Sequence, residues 1–431
     1  MKAQSLYHPI YTRQSIGIFF ISMGAPIVIF LKEMLGFGLS STFTGAVYVL
    51  SLLLLIPQKK TLLLFKPNLP CLRLSLIFFG ISLLYILMGH YEVNEGEIWK
   101  DSIYFGVLVV FFILLLFTSP EIKDYFLPVV VLFTLIGTLM LFYSMITNPF
   151  FVVGQRASVV FKSVDGEMTA GNPNMYARNG LFCAIVSYIV LKKGVKIAWW
   201  RILNIVNIVL GLLAVLLGQT RGVYLTLFFY ISIELLFFSS FNKVILGIIN
   251  APRKKKFWNK IFILLFSLFV LYLLKPKLFE ILYNYYDNGS QSLEKVIKTI
   301  FGATAKENTD MSANIRIENL AFMGEIWEKS PWSYVFGKGY KFYFVDITVM
   351  EVLLDYGILG LLSFVTLLFL LFKSSITAIY RNVDPFYIFL GYFYLSILVS
   401  TLTTGRPNDY LYFWAPVSLF IRFQVVDKVK K

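Results

Sequence analysis

Residues 202–218 (ILNIVNIVLGLLAVLLG) and 223–240 (VYLTLFFYISIELLFFSS) form two long apolar runs that follow each other almost without interruption. Only the four residues Gln-Thr-Arg-Gly at 219–222 separate them. A helix needs about 17–25 apolar residues to cross the hydrocarbon core of a bilayer, and each run is long enough. Four residues leave room only for a tight turn, so this stretch predicts two antiparallel membrane-spanning helices.

The composition of the whole chain agrees with this interpretation. Of the 431 residues, 58% are hydrophobic and only 15% are charged, whereas soluble domains carry about 25% charge. The two cysteines, Cys71 and Cys183, lie at the edge of one apolar run and inside another, which predicts no disulfide framework and no cysteine-ligated metal site. The composition therefore excludes a soluble fold and argues against redox chemistry.

Apolar runs of spanning length occur about twelve times along the chain. We therefore predict an all-α polytopic membrane protein with about 12 transmembrane helices, organised as one integral membrane domain over residues 1–431. The predicted spans lie near 15–31, 38–56, 74–90, 102–118, 126–146, 175–191, 202–218, 223–240, 260–275, 347–372, 385–404 and 409–423.

The distribution of charge predicts the orientation of these spans. With a cytoplasmic N-terminus, inside loops and tails hold about 23 of the 39 Lys and Arg residues and about 4 of the 24 Asp and Glu residues. Because basic residues concentrate on the cytoplasmic side, we expect both termini there. The net charge of +15 is thereby assigned to topology, and no nucleic-acid partner is expected.

Two predicted outer segments are too long to be simple connections. The first long outer loop covers 147–174, and a large outer loop covers 276–345, between spans 9 and 10. Connections of such length are usually functional. Within the second, Ser312–Lys329 predicts an amphipathic helix that ends at Ser330-Pro331. Its apolar side would carry Ile315, Leu320, Met323, Ile326 and Trp327.

Arginines near the predicted outer face are the first candidate site residues. Arg221 lies in the tight turn at 219–222, where a permanently charged guanidinium suits a phosphate or pyrophosphate group. An interfacial arginine that faces lipid headgroups without specificity is the alternative for Arg221, and similar alternatives hold for the others. The further candidates are Arg156, Arg178 with the nearby Asn174, and Arg316 on the amphipathic helix.

Three carboxylates lead into the tenth span, namely Asp346, Glu351 and Asp355. Glu351 and Asp355 are four residues apart and share one helix face. Desolvation near a membrane raises the pKa of a carboxyl, which suits a general base. The alternative, acids favoured at a helix start by the helix dipole, explains Asp346 better than Asp355. Glu234, inside the eighth span, is expected to have a partner on another helix.

Several common catalytic patterns are missing from the sequence. The two histidines, His8 and His90, are far apart in the sequence, so no histidine metal cluster is predicted. There is no Walker loop and no glycine-rich nucleotide fingerprint. We therefore expect no metal ion and no cofactor, and we expect arginines to neutralise phosphate charge.

Four short motifs follow each other between Gly171 and Gly360. They are Gly171-Asn172-Pro173-Asn174, then Thr220-Arg221-Gly222, then Arg316, and finally the series Ser330-Pro331, Gly337-Lys338-Gly339-Tyr340 and Gly357-Ile358-Leu359-Gly360. Their types and order resemble the O-antigen ligase and polymerase superfamily. Its members are multi-span glycosyltransferases that act on undecaprenyl-diphosphate glycans at the outer membrane face. The resemblance covers about 190 residues.

One position distinguishes the two branches of that superfamily. Its ligases carry His-Asn eleven residues before the first closing glycine, and counting back from Gly357 reaches Asp346 followed by Ile347. The resemblance therefore favours a Wzy-type polymerase of O-antigen or capsule polysaccharide over a ligase.

The resemblance implies a metal-independent glycosyltransferase in the bacterial inner membrane. It would move a growing glycan from undecaprenyl diphosphate to an incoming lipid-linked repeat unit. Arg221 and Arg316, assisted by Arg156 or Arg178, would hold the diphosphate, and Asp346 or Glu351 would accept the hydroxyl proton. Further implied substrate contacts are Asn174 and Tyr340, with Trp327, Trp332 and Tyr343 stacking on sugars or anchoring the interface.

The implied partners are the lipid-linked donor and acceptor, the bilayer, a flippase and a chain-length regulator. Two alternatives stay open from the sequence. One is ligase-type transfer of finished glycan to another acceptor. The other is a transporter or flippase for the same lipid-linked sugars.

Overall fold

The described part of the chain is helical apart from one two-stranded ribbon. A computed structural model describes residues 8–37, 41–57, 67–88, 98–147, 155–162, 168–194, 197–237, 283–284, 287, 290–291, 311–345, 347–381, 384–402 and 411–423. The helices before the ribbon are α1 (Pro9–Ser22), α2 (Ala25–Met34), α3 (Ser41–Leu55), α4 (Leu69–Leu87), α5 (Ile98–Leu116) and α6 (Ile122–Thr147).

The ribbon and the later helices complete the fold. Strands β1 (Val160–Lys162) and β2 (Met168–Ala170) pair antiparallel, with Phe161 opposite Thr169. The helices that follow are α7 (Pro173–Lys192), α8 (Ala198–Gly218), α9 (Arg221–Phe237), α10 (Met311–Lys329), α11 (Trp332–Phe336), α12 (Thr348–Tyr380), α13 (Pro385–Ser400) and α14 (Leu411–Arg422).

The length and composition of the helices are those of a helical membrane protein. Among the described residues, α4, α6, α8, α12 and residues Trp99–Leu116 of α5 are long and apolar enough to cross a membrane, and the bent pair α1–α2 makes a sixth such span if counted as one. Shorter apolar helices are α3, α13 and α14. Helices overlap eleven of the twelve predicted spans, the first of them as the pair α1–α2, and the ninth, at 260–275, lies outside the described residues.

Contacts between helix ends show that neighbouring helices run in opposite directions. The N–H of Asn68 donates to Ile421 O at 2.8 Å, and Arg422 Nε donates to Thr118 O at 3.0 Å. These contacts gather the starts of α4 and α6 with the ends of α5 and α14, at what we call the lower end. At the opposite, upper end, the N–H of Thr348 donates to Thr401 O at 3.0 Å, joining the start of α12 to the end of α13.

The first predicted span, 15–31, is not one straight helix. The chain breaks between α1 and α2, and the two helices meet at 80°. A Cβ on Gly24 would lie 2.6 Å from Phe20 Cα, so the close packing of this turn requires glycine. Pro26, which lacks an N–H, fits the first turn of α2, where no intrahelical donor is needed.

The tenth predicted span is also interrupted, within α12. Gly357 has φ 63° and ψ −166°, outside the helical region. A Cβ there would lie 2.1 Å from Val335 O, and a Cβ on Gly337, with φ 77°, would lie 2.2 Å from Asp355 O. The two glycines let the backbone after α11 lie directly against the break in α12.

Hydrogen bonds hold these two backbone segments together. The N–H of Lys338 donates to Leu354 O at 2.8 Å, and that of Gly339 donates to Asp355 O at 3.0 Å. The Asp355 carboxylate accepts the N–H groups of Lys341 and Phe342, both at 3.1 Å. We call this contact between residues 337–342 and 354–357 the loop clamp.

The helix predicted at Ser312–Lys329 is present as α10, which begins one residue earlier. Met323 and Ile326 lie in a small core with Val345 and Leu354, as the predicted apolar face requires. Leu320 is 39% exposed, so its place on that face stays a prediction. The side chain of Ile315 lies outside the described part of the structure.

We expect Gly357→Ala to destabilise the fold, because alanine at this φ must bring its Cβ against Val335 O. Strain of this kind costs about 1–3 kcal/mol. Thermal unfolding of the detergent-solubilised protein measures the effect. Gly324→Ala is the matched control, because a Cβ at Gly324 meets nothing within 4 Å. Equal melting temperatures for the two variants would contradict the close approach in the loop clamp.

A second prediction concerns the buried ion pair beside the loop clamp. Lys341 Nζ lies 2.8 Å from Asp101 Oδ1, and both side chains are largely buried. Lys341→Ala leaves a buried charge behind, which costs about 3–5 kcal/mol, whereas replacing both partners by apolar residues costs less. Chemical unfolding should therefore show Lys341→Met with Asp101→Leu to be more stable than Lys341→Ala. The reverse order would show that the pair is not buried as described.

Candidate anion-binding site

The turn between α8 and α9 is tighter than the sequence indicates. Two residues, Gln219 and Thr220, separate the helices, and Arg221 is the first residue of α9. Gln219 adopts a left-handed conformation with φ 45°. A Cβ on Gly218 would lie 2.7 Å from Ala177 Cβ, so the turn packs directly on the first turns of α7. The turn therefore fixes the backbone position from which the Arg221 side chain projects.

Arg156 reaches this turn from the segment before the ribbon. Its Nη2 lies 3.2 Å from Asn174 Oδ1 and 3.4 Å from Thr220 Oγ1, and its Nε donates to Gly218 O at 3.4 Å. The N–H of Ala157 donates to Leu217 O at 2.9 Å, which fixes the backbone beside Arg156. The guanidinium is thus held by three neutral oxygens, which come from α7, from the end of α8 and from the α8–α9 turn.

The electrostatics of this arrangement favour an anion. Partial burial lowers the pKa of Arg156, the nearby positive charge of Arg221 lowers it further, and Tyr224 acts in the opposite direction. The start of α9 adds the positive end of a helix dipole. Two guanidiniums that repel each other at a helix start are stabilised together when a group with two or more negative charges lies between them.

The structure does not bring all of the arginines that were predicted as site residues to the α8–α9 turn. The Arg178 guanidinium lies 4.6 Å from the ring centroid of Tyr412, at the start of α14, so it is engaged in a cation–π contact. The side chain of Arg316 and the whole of Asp346 lie outside the described residues, although the α10 backbone that carries Arg316 is described. The site that the structure assembles therefore consists of Arg156, Arg221 and Asn174.

Thr220 and Gly218 belong to this site and were missed as candidates. Both supply oxygens to Arg156. In the sequence, Thr220 belongs to the Thr220-Arg221-Gly222 motif but carries no predicted role of its own. A hydroxyl directly before a candidate phosphate-binding arginine is a signal that identifies such a neighbour. The oxygen of Gly218 belongs to the backbone, so no side-chain pattern could have indicated it.

Glu351 and Asp355 accept hydrogen bonds from backbone N–H groups within residues 341–345. Asp355 takes part in the loop clamp, and Glu351 Oε2 accepts the N–H of Val345 at 3.0 Å. Glu351 is 1% exposed. Both carboxylates thus position residues 341–345, which directly precede Asp346. A proton-accepting role for Asp346 or Glu351 stays a prediction.

The predicted aromatic sugar contacts differ in their exposure. Tyr340 is fully buried, edge-on to Phe105 with ring centroids 6.1 Å apart, so it has no surface for a sugar in this structure. In this structure Tyr340 packs against Phe105, and its role as a substrate contact stays a prediction. Trp332 is 73% exposed on α11, while the Tyr343 hydroxyl lies 3.1 Å from Asn319 Oδ1.

The prediction of an interhelix partner for Glu234 is confirmed. Its carboxylate lies 2.8 Å from Lys192 Nζ of α7 and accepts the hydroxyl of Tyr392 of α13 at 2.6 Å. Tyr188 of α7 donates a further hydroxyl at 3.1 Å. Glu234 therefore joins three helices near the lower end, away from the arginine pair.

We predict that inorganic pyrophosphate raises the melting temperature of the protein through this site. Loss of one charged hydrogen-bonding partner costs about 1.5–3 kcal/mol, so Arg156→Gln and Arg221→Gln should each weaken binding by roughly tenfold to a hundredfold. A thermal-shift titration measures the change. Arg201→Gln, on an exposed arginine in the first turn of α8 at the lower end, is the matched control. An equal loss of binding in the control would contradict a defined site.

No protein-family model matches the chain, and a search of curated proteins finds no significant sequence match. The family resemblance thus rests on the motifs between Gly171 and Gly360.

Proposed function

We propose that the protein is a Wzy-type polysaccharide polymerase. In this proposal it transfers a growing glycan from undecaprenyl diphosphate to a hydroxyl of an incoming lipid-linked repeat unit. The observation that carries the proposal is the position of the Arg156 guanidinium beside Thr220, the residue that directly precedes Arg221 at the start of α9. Thr220-Arg221-Gly222 is also one of the motifs that resemble the superfamily.

The arginine pair suits the leaving group of this reaction. As the bond between the anomeric carbon and the diphosphate oxygen breaks, negative charge develops on the diphosphate. Guanidiniums grip two phosphate oxygens each and stay charged at all physiological pH values. Asn174 and Thr220 orient Arg156 before the substrate arrives, so little reorganisation is needed during the reaction.

The acceptor side of the reaction is assigned to the segment before α12. An acceptor hydroxyl oxygen attacks the anomeric carbon, its proton passes to Asp346, and the lipid diphosphate departs with the electron pair of the broken bond. Asp346 follows Val345, whose N–H is held by Glu351 near the start of α12. The start of α12 and the arginine pair lie at the same, upper end of the bundle, which supports a shared site.

The membrane arrangement follows from the same proposal. The chain crosses the bacterial inner membrane about twelve times, both termini are cytoplasmic, and the upper end faces outward. Lys123, Lys192 and Arg422 lie at the lower end, in keeping with a cytoplasmic lower face. Donor and acceptor are lipid-linked glycans that approach through the outer leaflet. A flippase delivers them to that leaflet, and a chain-length regulator controls the length of the product.

The proposal is tested by glycan banding on gels from a host that supplies the matching repeat unit. Deletion, wild type, Arg221→Ala, Arg156→Ala, Arg316→Ala and Asp346→Ala are compared at matched expression, with Arg201→Ala as control. We expect the four site variants to lose long chains and to retain single-repeat glycan. The control should keep the wild-type pattern.

Other outcomes of this experiment assign other functions. Long chains that form in the deletion strain and stay on undecaprenyl diphosphate would identify ligase-type transfer. Repeat units that never reach the outer face would identify transport. Either result would replace the polymerase proposal.

A further inference from the structure

Seven polar or thiol side chains form a continuous row inside the apolar bundle, between α6, α7 and α8. None of them is more than 3% exposed. We call this row the polar column; its members are Thr134 and Thr138 of α6, Asn179, Cys183 and Ser187 of α7, and Asn204 and Asn207 of α8.

Hydrogen bonds connect the three helices along the column. Asn179 Nδ2 donates to Thr134 O at 2.9 Å and to Thr138 Oγ1 at 3.0 Å. Asn207 Nδ2 donates to Val131 O at 3.3 Å, and Cys183 Sγ lies 3.5 Å from Asn207 O. The amide nitrogens of Asn179 and Asn207 are therefore used to join helices.

The oxygens of the column are not satisfied in the same way. Within the described part of the protein, no group donates a hydrogen bond to Asn179 Oδ1, Asn204 Oδ1 or Asn207 Oδ1, and the Ser187 hydroxyl has no partner. Such buried polar atoms cost about 1–3 kcal/mol each unless something pairs with them. Buried polar groups in folded proteins nearly always have a protein or water partner.

Ser187 differs from other buried serines of the bundle. Ser75, Ser82 and Ser418 each donate to the carbonyl four residues earlier, at 2.7–3.0 Å. This is the usual way to satisfy a hydroxyl inside a membrane helix. Ser187 has no such bond, although the same kind of carbonyl lies one turn behind it. Its hydroxyl is therefore available to a ligand inside the column.

The helix register places the orphaned oxygens in a line. Antiparallel α7 and α8 touch at Gly180 and Gly211, where a Cβ on either glycine would meet the other's oxygen at 2.5–2.6 Å. Cys183 meets Asn207 one turn further, and from the same antiparallel register we infer that Ser187 faces Asn204 in the next turn. From Asn179 to Ser187 the column extends over about 12 Å, at 1.5 Å per residue.

We propose that the polar column holds a row of bound water molecules. A line of neutral oxygens that need donors fits water, which donates two hydrogen bonds and typically makes about three. The members of the column carry no carboxylate to balance a cation. The upper end of the row, at Asn179, lies five residues after Asn174, so the water extends from below the arginine pair into the bundle. This inference does not depend on the proposed function.

Hydroxyl-radical footprinting of the full-length protein tests the proposal. Irradiation of bound water produces radicals beside it, which oxidise neighbouring side chains even where bulk solvent has no access. Cys183, which is fully buried beside Thr134 and Thr138, serves as the internal reporter. We expect Cys183 to be oxidised in the native protein. We also expect Asn207→Leu and Ser187→Val to reduce that oxidation without changing the oxidation of the other buried cysteine, Cys71.

Ser82→Ala is the matched control, because Ser82 is equally buried and bonds within its own helix. It should leave Cys183 oxidation unchanged. No oxidation of Cys183 at doses that oxidise the exposed Met34 would overturn the proposal, and this measurement needs no variant. Oxidation that changed when sodium was replaced by choline would also overturn it, because a cation would then occupy the column.

Discussion

The Asp355 carboxylate, which accepts two backbone N–H groups from the segment after α11, is the contact on which the upper end of the structure depends. Charge-assisted bonds of this kind are about twice as strong as neutral ones. These hydrogen bonds can form because Gly337 and Gly357 let the backbone after α11 approach the backbone of α12 closely. From this contact, the Lys341–Asp101 pair reaches α5, and the Tyr85 hydroxyl donates to Phe336 O from α4.

The arginine pair is held by a separate set of contacts with the same physical character. A tight turn places Arg221 at the start of α9, and neutral oxygens from α7, α8 and the α8–α9 turn hold Arg156 beside Thr220, so Arg156 is positioned next to Arg221 in the absence of a ligand. Holding like charges in this way costs free energy, which anion binding recovers. In the proposed polymerase, these positive charges stabilise the departing diphosphate. The loop clamp positions residues 341 and 342, which come shortly before Asp346 in the sequence.

The sequence predicted the positions of the helices well, because a long run of apolar residues can be recognised without any knowledge of tertiary contacts. It did not predict the break between α1 and α2, although Gly24 and Pro26 were visible signals for it. The face shared by Glu351 and Asp355 followed from helical periodicity, but their backbone partners depend on the tertiary approach of residues 337–345. Tyr340 was assigned by motif to substrate, and its burial against Phe105 is a property of packing. The joining of Arg156 to Thr220, 64 residues away, is likewise tertiary.

The most direct test of the central claim is a reconstitution of the purified protein in liposomes with lipid-linked repeat units as the only glycan source. Glycan length and released undecaprenyl diphosphate are measured together over time. The account predicts chains longer than one repeat, with one lipid diphosphate released for each linkage formed, and neither product with Arg221→Ala. Wild-type protein that binds the lipid-linked substrate but forms no linkage and releases no lipid diphosphate would contradict it.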